Sequence, residues 1–108
     1  MNRSAPASPS HFASFADFYP FYLSEHRHPV SRRLHFFGTA IVLTVPFIAF
    51  AVGNPWVLFA IPVAGYGFAW IGHFFFEGNR PATFAHPFYS LAADFVLFRD
   101  ILVGRIRF

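Results

Sequence analysis

The sequence predicts an all-α membrane protein, a helical bundle of about four helices in which two transmembrane spans form a hairpin. Of its 108 residues, 56% are hydrophobic, 22% are aromatic and only 12% are charged, a composition too apolar for an ordinary small soluble domain. Residues 36–76 contain no Asp, Glu, Lys or Arg, and their strongest turn signal is Gly53-Asn54-Pro55. Because one spanning helix needs about 20 apolar residues, this segment predicts two spans joined by a tight turn.

A first helix is predicted before the hairpin. Phe15, Phe18, Tyr19 and Tyr22 recur at helical spacing, and His26 continues the same stripe one turn later. An aromatic stripe along one side of a helix favours a position against the membrane.

The hairpin helices are predicted over about residues 32–52 and 56–77, and a fourth helix over about residues 83–103. The segment 78–81, Gly-Asn-Arg-Pro, is a turn by composition. The fourth helix carries three charged residues, which leave open whether it crosses the bilayer or lies at the interface. These residues are Asp94, Arg99 and Asp100.

The chain is predicted to form one membrane-embedded helical domain, residues 12–108, after a disordered tail, residues 1–11. The beginning of the chain is polar and contains Pro and Ser, without the apolar core of a signal peptide. The sequence has no cysteine, which excludes disulfides, thiolate catalysis and Cys-ligated metal sites. Nitrogen and oxygen are then the expected metal ligands.

The net charge is +3, and all eight basic residues are Arg. They are scattered among aromatic residues rather than clustered on one polar face, so nucleic acid is not an expected partner. Arg27, Arg32, Arg33 and Arg80 lie at one end of the predicted hairpin, and the Gly53 end carries no charge. The positive-inside rule places the Arg-rich end in the cytoplasm, at the inner membrane of a bacterium or the endoplasmic reticulum of a eukaryote.

Four histidines fall where the predicted helices begin or end. His26 ends the first helix, His35 begins the second, His73 ends the third and His86 begins the fourth. A single histidine at such a position is more often an amphipathic side chain with its polar edge toward the headgroups. Antiparallel packing, however, would bring all four to one level, where imidazole nitrogens suit iron, copper, zinc or nickel rather than magnesium or calcium.

Glu77 follows His73 by four residues, on the same helix face. An ionised carboxylate at the edge of an apolar span needs a partner. Three partners are open: the metal itself, the second ring nitrogen of a ligating histidine, and Arg80.

Four segments resemble the family of the 2-hydroxy-fatty-acid dioxygenases, small membrane proteins whose eukaryotic members act in α-oxidation of phytosphingosine-derived acids. The segments are residues 18–26 (FYPFYLSEH), 32–39 (RRLHFFGT), 72–82 (GHFFFEGNRPA) and His86-Pro87. The resemblance covers about residues 18–97. It implies an iron(II)-dependent dioxygenase that uses O2 to convert a 2-hydroxy fatty acid into the acid one carbon shorter. The implied iron ligands are His26, His35, His73 and His86.

The same resemblance makes Glu77 and Arg80 candidate catalytic residues. Arg32, Arg33 and Arg80 are candidates for binding the substrate carboxylate through the guanidinium fork, although contact with lipid phosphate is an equally open role for each. The acyl tail is expected along neighbouring aromatic residues, where packing between helices and contact with lipid are the competing interpretations. These residues are Phe36, Phe37, Phe74 and Phe75.

Two other functions fit the sequence. In the first, His35 and His73 would be the axial ligands of a haem in a membrane electron-transfer protein, which leaves His26, His86 and Glu77 without a role. In the second, the chain would be a non-catalytic membrane scaffold with structural histidines. The bilayer is the expected partner in every case, and the oligomeric state is left open.

Overall fold

The structure, a computed structural model, describes residues 11–108, which form helices joined by turns and short irregular segments, with no strand. The elements are α1 (Phe15–Ser24), α2 (Pro29–Val52), a 3-10 turn (Pro55–Phe59), α3 (Ala60–Ile71), a π-helical turn (Gly72–Glu77), a second 3-10 turn (Ala82–Phe84) and α4 (Pro87–Leu102). The predicted all-α fold with four helices is confirmed. The predicted disordered tail lies outside the described residues, except for its last residue.

The predicted hairpin is also present. Among the described residues, Pro29–Val52 and Pro55–Glu77 are the two segments long and apolar enough to cross a bilayer, with mean hydropathy 2.0 and 1.5. Only 28% and 22% of their most apolar windows are buried, so most of their side chains face outward. Gly53 ends α2 in the left-handed conformation, with φ of 69°, as is common for glycine after a helix. Asn54 begins the return by accepting a hydrogen bond from the Trp56 amide.

Small residues set the spacing of the two hairpin helices at two levels. A Cβ added at Gly38 would lie 3.0 Å from the Phe68 Cβ and 3.2 Å from the Ala64 carbonyl oxygen. A Cβ added at Gly72 would lie 2.8 Å from the Ser31 Oγ. Membrane helices approach closely where such small residues meet, so α2 and the end of α3 are held in a defined register.

The first and last helices pack together and form a small core. Phe18 and Tyr22 of α1 are buried with Ala93, Leu97 and Ile101 of α4. With 16 residues, α4 is shorter than the roughly 20 residues that one apolar span needs. The fourth helix is therefore not among the two candidate spans, and it packs against α1.

The charged residues near the end of α4 are satisfied within the protein. The Tyr19 hydroxyl donates to the Asp100 Oδ2 at 2.9 Å, and the same carboxylate forms ion pairs with Arg99 at 2.9 Å and Arg105 at 3.7 Å. These contacts connect α1 to the end of α4.

Candidate metal centre

Three histidines from three parts of the chain meet inside the protein. His26 lies between α1 and α2, His35 lies in the second turn of α2, and His73 lies in the π-helical turn after α3. Their exposed fractions are 2%, 5% and 2%. The ring centroids are 4.3 Å (His26 to His35), 4.5 Å (His26 to His73) and 5.1 Å (His35 to His73) apart. One nitrogen from each ring lies within 4.8 Å of the other two.

Each of the three rings is held through its Nδ1 by an oxygen that accepts a hydrogen bond. The Nδ1 of His26 lies 2.6 Å from the Tyr22 carbonyl oxygen, and that of His35 lies 3.0 Å from the Ser31 carbonyl oxygen. Both carbonyls belong to the residue four positions earlier. Because a carbonyl oxygen can only accept, the proton of each ring is on Nδ1.

The third ring is held by a side chain instead of the backbone. The Nδ1 of His73 lies 2.6 Å from the Asn79 Oδ1. The amide nitrogen of Asn79 donates to the Glu25 carbonyl oxygen at 3.1 Å, which fixes the orientation of the amide and directs its oxygen toward His73. Gly78, with φ of 71°, reverses the chain so that Asn79 returns to the ring.

The Nε2 atom of each ring therefore carries a lone pair. The Nε2 atoms of His26 and His35 are only 3.0 Å apart. Two lone pairs at this distance repel each other unless a cation lies beside both. Burial, followed by the charges that His35 and His73 would carry, holds the pKa of His26 well below its usual 6.5. A neutral imidazole with its second nitrogen bound to an oxygen is the usual form of a histidine metal ligand, so the donor set fits a transition metal.

His86, the fourth predicted ligand, lies in a different place. It precedes α4 and is buried, and its ring packs against Phe12, Phe18 and Phe21 with centroid distances of 4.9, 5.5 and 6.3 Å. Among the described residues, the group able to hold one ion comprises His26, His35 and His73 without His86. The structure thus brings together three of the four histidines, and a ligand role for His86 stays a prediction.

Glu77 joins two segments of the backbone. Its Oε2 accepts a hydrogen bond from the His28 amide at 2.7 Å, which ties the end of the hairpin to the loop before α2. The sequence left open that Glu77 accepts a hydrogen bond from the second ring nitrogen of His73. In the structure, Asn79 is that acceptor. Within residues 11–108, the ion pairs are those of Asp100 with Arg99 and Arg105, and Glu77 does not form one with Arg80. A direct catalytic role for Glu77 stays a prediction.

Arg32 holds the loop that carries His26. Its Nη1 donates to the carbonyl oxygens of His26 at 3.2 Å and Arg27 at 2.6 Å, and its Nε donates to that of Arg107 at 3.0 Å. Its guanidinium thus ties the backbone at His26 and Arg27 to that at Arg107.

Arg33 and Arg80 are exposed. Their guanidinium groups lie over the rings of Phe108 and Phe84, at 5.3 Å and 5.2 Å from the centroids. Neither arginine lines the small cavity that borders the three clustered histidines. Binding of a substrate carboxylate by Arg32, Arg33 or Arg80 stays a prediction.

A small cavity of about 20 Å³, here called the chamber, borders the three histidines. The Tyr22 hydroxyl donates to the Asp94 Oδ1 at 2.5 Å on its wall. Burial raises the pKa of Asp94 to about 6, although the hydrogen bond from Tyr22 opposes the shift. The Ser90 Oγ also lines the chamber and has no hydrogen-bond partner among the described residues. The chamber therefore has several hydroxyl-bearing residues and a carboxyl group in its lining, together with the three histidines.

Sequence reasoning misses the site roles of Asn79, Tyr22 and Asp94. Asn79 stands inside the GHFFFEGNRPA segment, but nothing in its spacing says which side chain it contacts. In the sequence, Tyr22 belongs to an aromatic stripe and Asp94 is only a charge in the fourth helix. Their pairing joins residues 72 positions apart, which helical periodicity does not reveal.

Comparison with known proteins gives one match. The profile of a family described as 2-hydroxy-palmitic acid dioxygenase Mpo1-like matches residues 12–106. No curated protein and no solved structure matches the chain. The family match covers almost the whole described region, including all three clustered histidines, Asn79 and His86. This chain is a member of the Mpo1-like family.

Proposed function

We propose that this protein is an iron(II)-dependent dioxygenase that converts a 2-hydroxy fatty acid into the acid one carbon shorter. The observation that carries the proposal is the convergence of three buried imidazoles, each with one ring nitrogen within 4.8 Å of the other two. The name of the family supplies the class of reaction and of substrate.

The reaction with O2 that the family name implies supports a redox-active metal such as iron. Zinc also accepts histidine ligands but has no redox chemistry, and magnesium and calcium prefer oxygen ligands. Ferrous iron held by His26, His35 and His73 would have coordination positions left for O2 and for the hydroxyl and carboxylate oxygens of the substrate, which it would bring together.

The protein's own residues prepare this site in three ways. The carbonyl oxygens of Tyr22 and Ser31 and the side chain of Asn79 orient the rings before any ligand binds. Burial of all three rings keeps bulk water away. No arginine lines the chamber, so the metal, rather than a guanidinium group, is expected to offset the charge of a bound carboxylate.

The proposed reaction balances without a further reductant. One 2-hydroxy acid and one O2 give the shortened acid, CO2 and water, with C1 leaving as CO2 and C2 becoming the new carboxyl carbon. All four electrons that O2 accepts come from the substrate. The site therefore needs no redox partner protein.

We place the site at the cytoplasmic face of a membrane. The histidine cluster lies at the end of the hairpin that carries Arg27, Arg32, Arg33 and Arg80, and the positive-inside rule assigns this end to the cytoplasm. The membrane is the inner membrane if the source is bacterial and the endoplasmic reticulum if it is eukaryotic.

The direct test is anaerobic purification with iron quantification, followed by reaction with O2 and 2-hydroxypalmitate labelled with ¹³C at C1. We expect about one iron per chain and, by mass spectrometry, unlabelled pentadecanoic acid with labelled CO2. His11→Ala, which changes an exposed histidine, should behave as the unchanged protein, and His35→Ala should give no product. Iron-loaded protein that leaves the acid intact would exclude this activity.

The geometry argues against the haem alternative. His35 and His73 would have to lie on opposite sides of a porphyrin plane, but the His26 ring lies 4.3 Å and 4.5 Å from them, where the macrocycle would have to be. A visible spectrum of the purified protein without a Soret band is the expected result. A non-catalytic scaffold would bind no transition metal, so the iron quantification also tests that alternative.

A further inference from the structure

We propose that a groove between α2, α3 and α4 binds the acyl chain of the substrate. This inference rests on the proposed function, because it takes the polar head of the same lipid to lie at the histidines that border the chamber. The groove, here called the acyl groove, has apolar walls contributed by all three helices. Its principal lining residues are Val42, Ile61, Pro62, Gly65, Leu91 and Phe95.

The acyl groove is large enough for part of an alkyl chain. Its volume is about 250 Å³, whereas an apolar cavity of about 150 Å³ already holds a benzene ring. The chamber, with about 20 Å³, has no room for a fatty acid tail. The tail of a long-chain substrate bound at the histidines must therefore lie elsewhere, and the acyl groove is the neighbouring space of suitable size.

The acyl groove and the chamber are adjacent. His35, Tyr66 and Asp94 line both of them. In the proposed binding mode, a ligand whose oxygens lie at the Nε2 of His35 extends past Tyr66 and Asp94 and continues along the apolar walls. The histidines and the chamber thus correspond to the polar head of a 2-hydroxy fatty acid, and the acyl groove corresponds to its apolar tail.

The direction of the groove also fits a membrane lipid. His35, Thr39 and Val42 follow one face of α2, and seven residues of helix span about 10 Å. The groove thus leads from the histidines toward the middle of the predicted span. Leu91 is 56% exposed and Pro62 is also exposed, so the groove is open to the bilayer along its side, and the end of a long chain can remain among the lipid tails.

The acyl groove is separate from the aromatic residues that the sequence suggested for the tail. Phe37, Phe74 and Phe75 are 50%, 50% and 77% exposed and do not line the groove. Phe36 stacks on Phe98, with centroids 4.7 Å apart. Packing and contact with lipid describe these side chains better than tail binding.

Gly65 is the position that tests the groove. A Cβ there would point toward Val42, 3.4 Å from its Cγ2, so a larger side chain would fill the groove without striking the backbone. Gly67, on the same helix, has no atom within 4 Å of an added Cβ and does not line the groove. Gly65→Leu and Gly67→Leu therefore make the same chemical change, inside and outside the proposed binding site.

The experiment is photolabelling of the full chain in lipid nanodiscs, under argon, with 2-hydroxypalmitate that carries a diazirine in the middle of its chain. In the unchanged protein we expect labelled residues among Val42, Ile61, Leu91 and Phe95, and competition by unlabelled 2-hydroxypalmitate. Gly65→Leu should reduce this labelling roughly tenfold, because losing contact with two methylenes is enough for that factor. Gly67→Leu should retain it.

Labelling confined to the outer surface, for example at Phe47 and Phe50, would overturn the proposal even if Gly65→Leu did not fold. Equal groove labelling in folded Gly65→Leu would overturn it as well. Because labelling requires no turnover, the result is distinct from that of the iron and product assay. Groove labelling without turnover would support the acyl groove as a binding site and exclude the dioxygenase activity.

Discussion

The two ends of the α2–α3 hairpin are built from the same helices but under different constraints. At one end Ser31, His35 and His73 are buried, and Gly72 is in close contact with Ser31. At the other end Phe50 is 90% exposed, and an added side chain at the Gly53 turn would meet no neighbouring atom. The comparison shows that the Gly53 end of the hairpin needs only apolar side chains to lie in lipid, whereas the histidine end depends on individual contacts.

Removing a histidine from the cluster should have the largest effect. His73→Ala removes one of three converging nitrogens and leaves the 3.0 Å pair of His26 and His35, so we expect loss of the bound iron under conditions in which the unchanged protein retains one per chain. Iron analysis after gel filtration measures this. His11→Ala is the matched control, and full iron occupancy in His73→Ala would remove that residue from the site.

Loss of the acceptor that orients His73 should have the next largest effect. Asn79→Ala deprives the His73 Nδ1 of its partner, and removal of such outer partners typically weakens metal binding about 10- to 100-fold. Competition with a chelator gives the affinity. The control at the opposite end of the hairpin is Asn54→Ala, which removes a cap on the Trp56 amide and should cost about 0.5–2 kcal/mol of stability with the metal affinity unchanged. Equal affinities in Asn54→Ala and Asn79→Ala would contradict the difference between the two ends.

Glycine substitutions should separate the ends by stability. Gly72→Val forces atoms into the Ser31 side chain, where a Cβ already lies 2.8 Å from Oγ, and overpacking of this kind costs about 1–3 kcal/mol. Gly67→Val meets open space and should change only the helix propensity. Thermal unfolding in detergent compares the two. A Gly72→Val midpoint as high as that of Gly67→Val would show that the contact with Ser31 is not tight.

The smallest predicted effect is on pH dependence. Burial raises the pKa of Asp94 from its usual 3.8 to about 6, so the folded state binds the proton more tightly than the unfolded state. The stability from this group is fully present below pH 3.8 and is lost as the pH rises through about 6. Asp94→Asn removes this loss, so the midpoint of the variant minus that of the unchanged protein should increase from about pH 4 to about pH 7. A difference that is constant over this range would count against a buried, proton-binding Asp94.

Sequence patterns predict the elements of the fold well, because composition and turn residues act locally. The hairpin and its turn at Gly53-Asn54-Pro55 lie where the sequence predicts them. The predicted start of α2 is three residues late, because Pro29 is its first residue and the His28 side chain caps the Val30 amide. The predicted start of the last helix is early, since a separate 3-10 turn (Ala82–Phe84) precedes α4.

The site is predictable only in part, for a physical reason. Placing histidines at helix ends correctly predicts that His26, His35 and His73 come to one level. It does not determine the direction of each ring, and the His86 ring packs into the aromatic side chains of α1. Ring direction depends on contacts between distant residues, such as Asn79 with Glu25. No helical period contains that information.

The central claim is that three imidazole Nε2 atoms bind one iron. X-ray absorption at the iron K edge of anaerobically purified protein tests it most directly, because imidazole rings give characteristic outer-shell scattering. We predict a spectrum that requires three histidine ligands, and no bound iron in the His26→Ala, His35→Ala, His73→Ala triple variant. Iron bound with no more than one imidazole, or retained unchanged in the triple variant, would contradict the account.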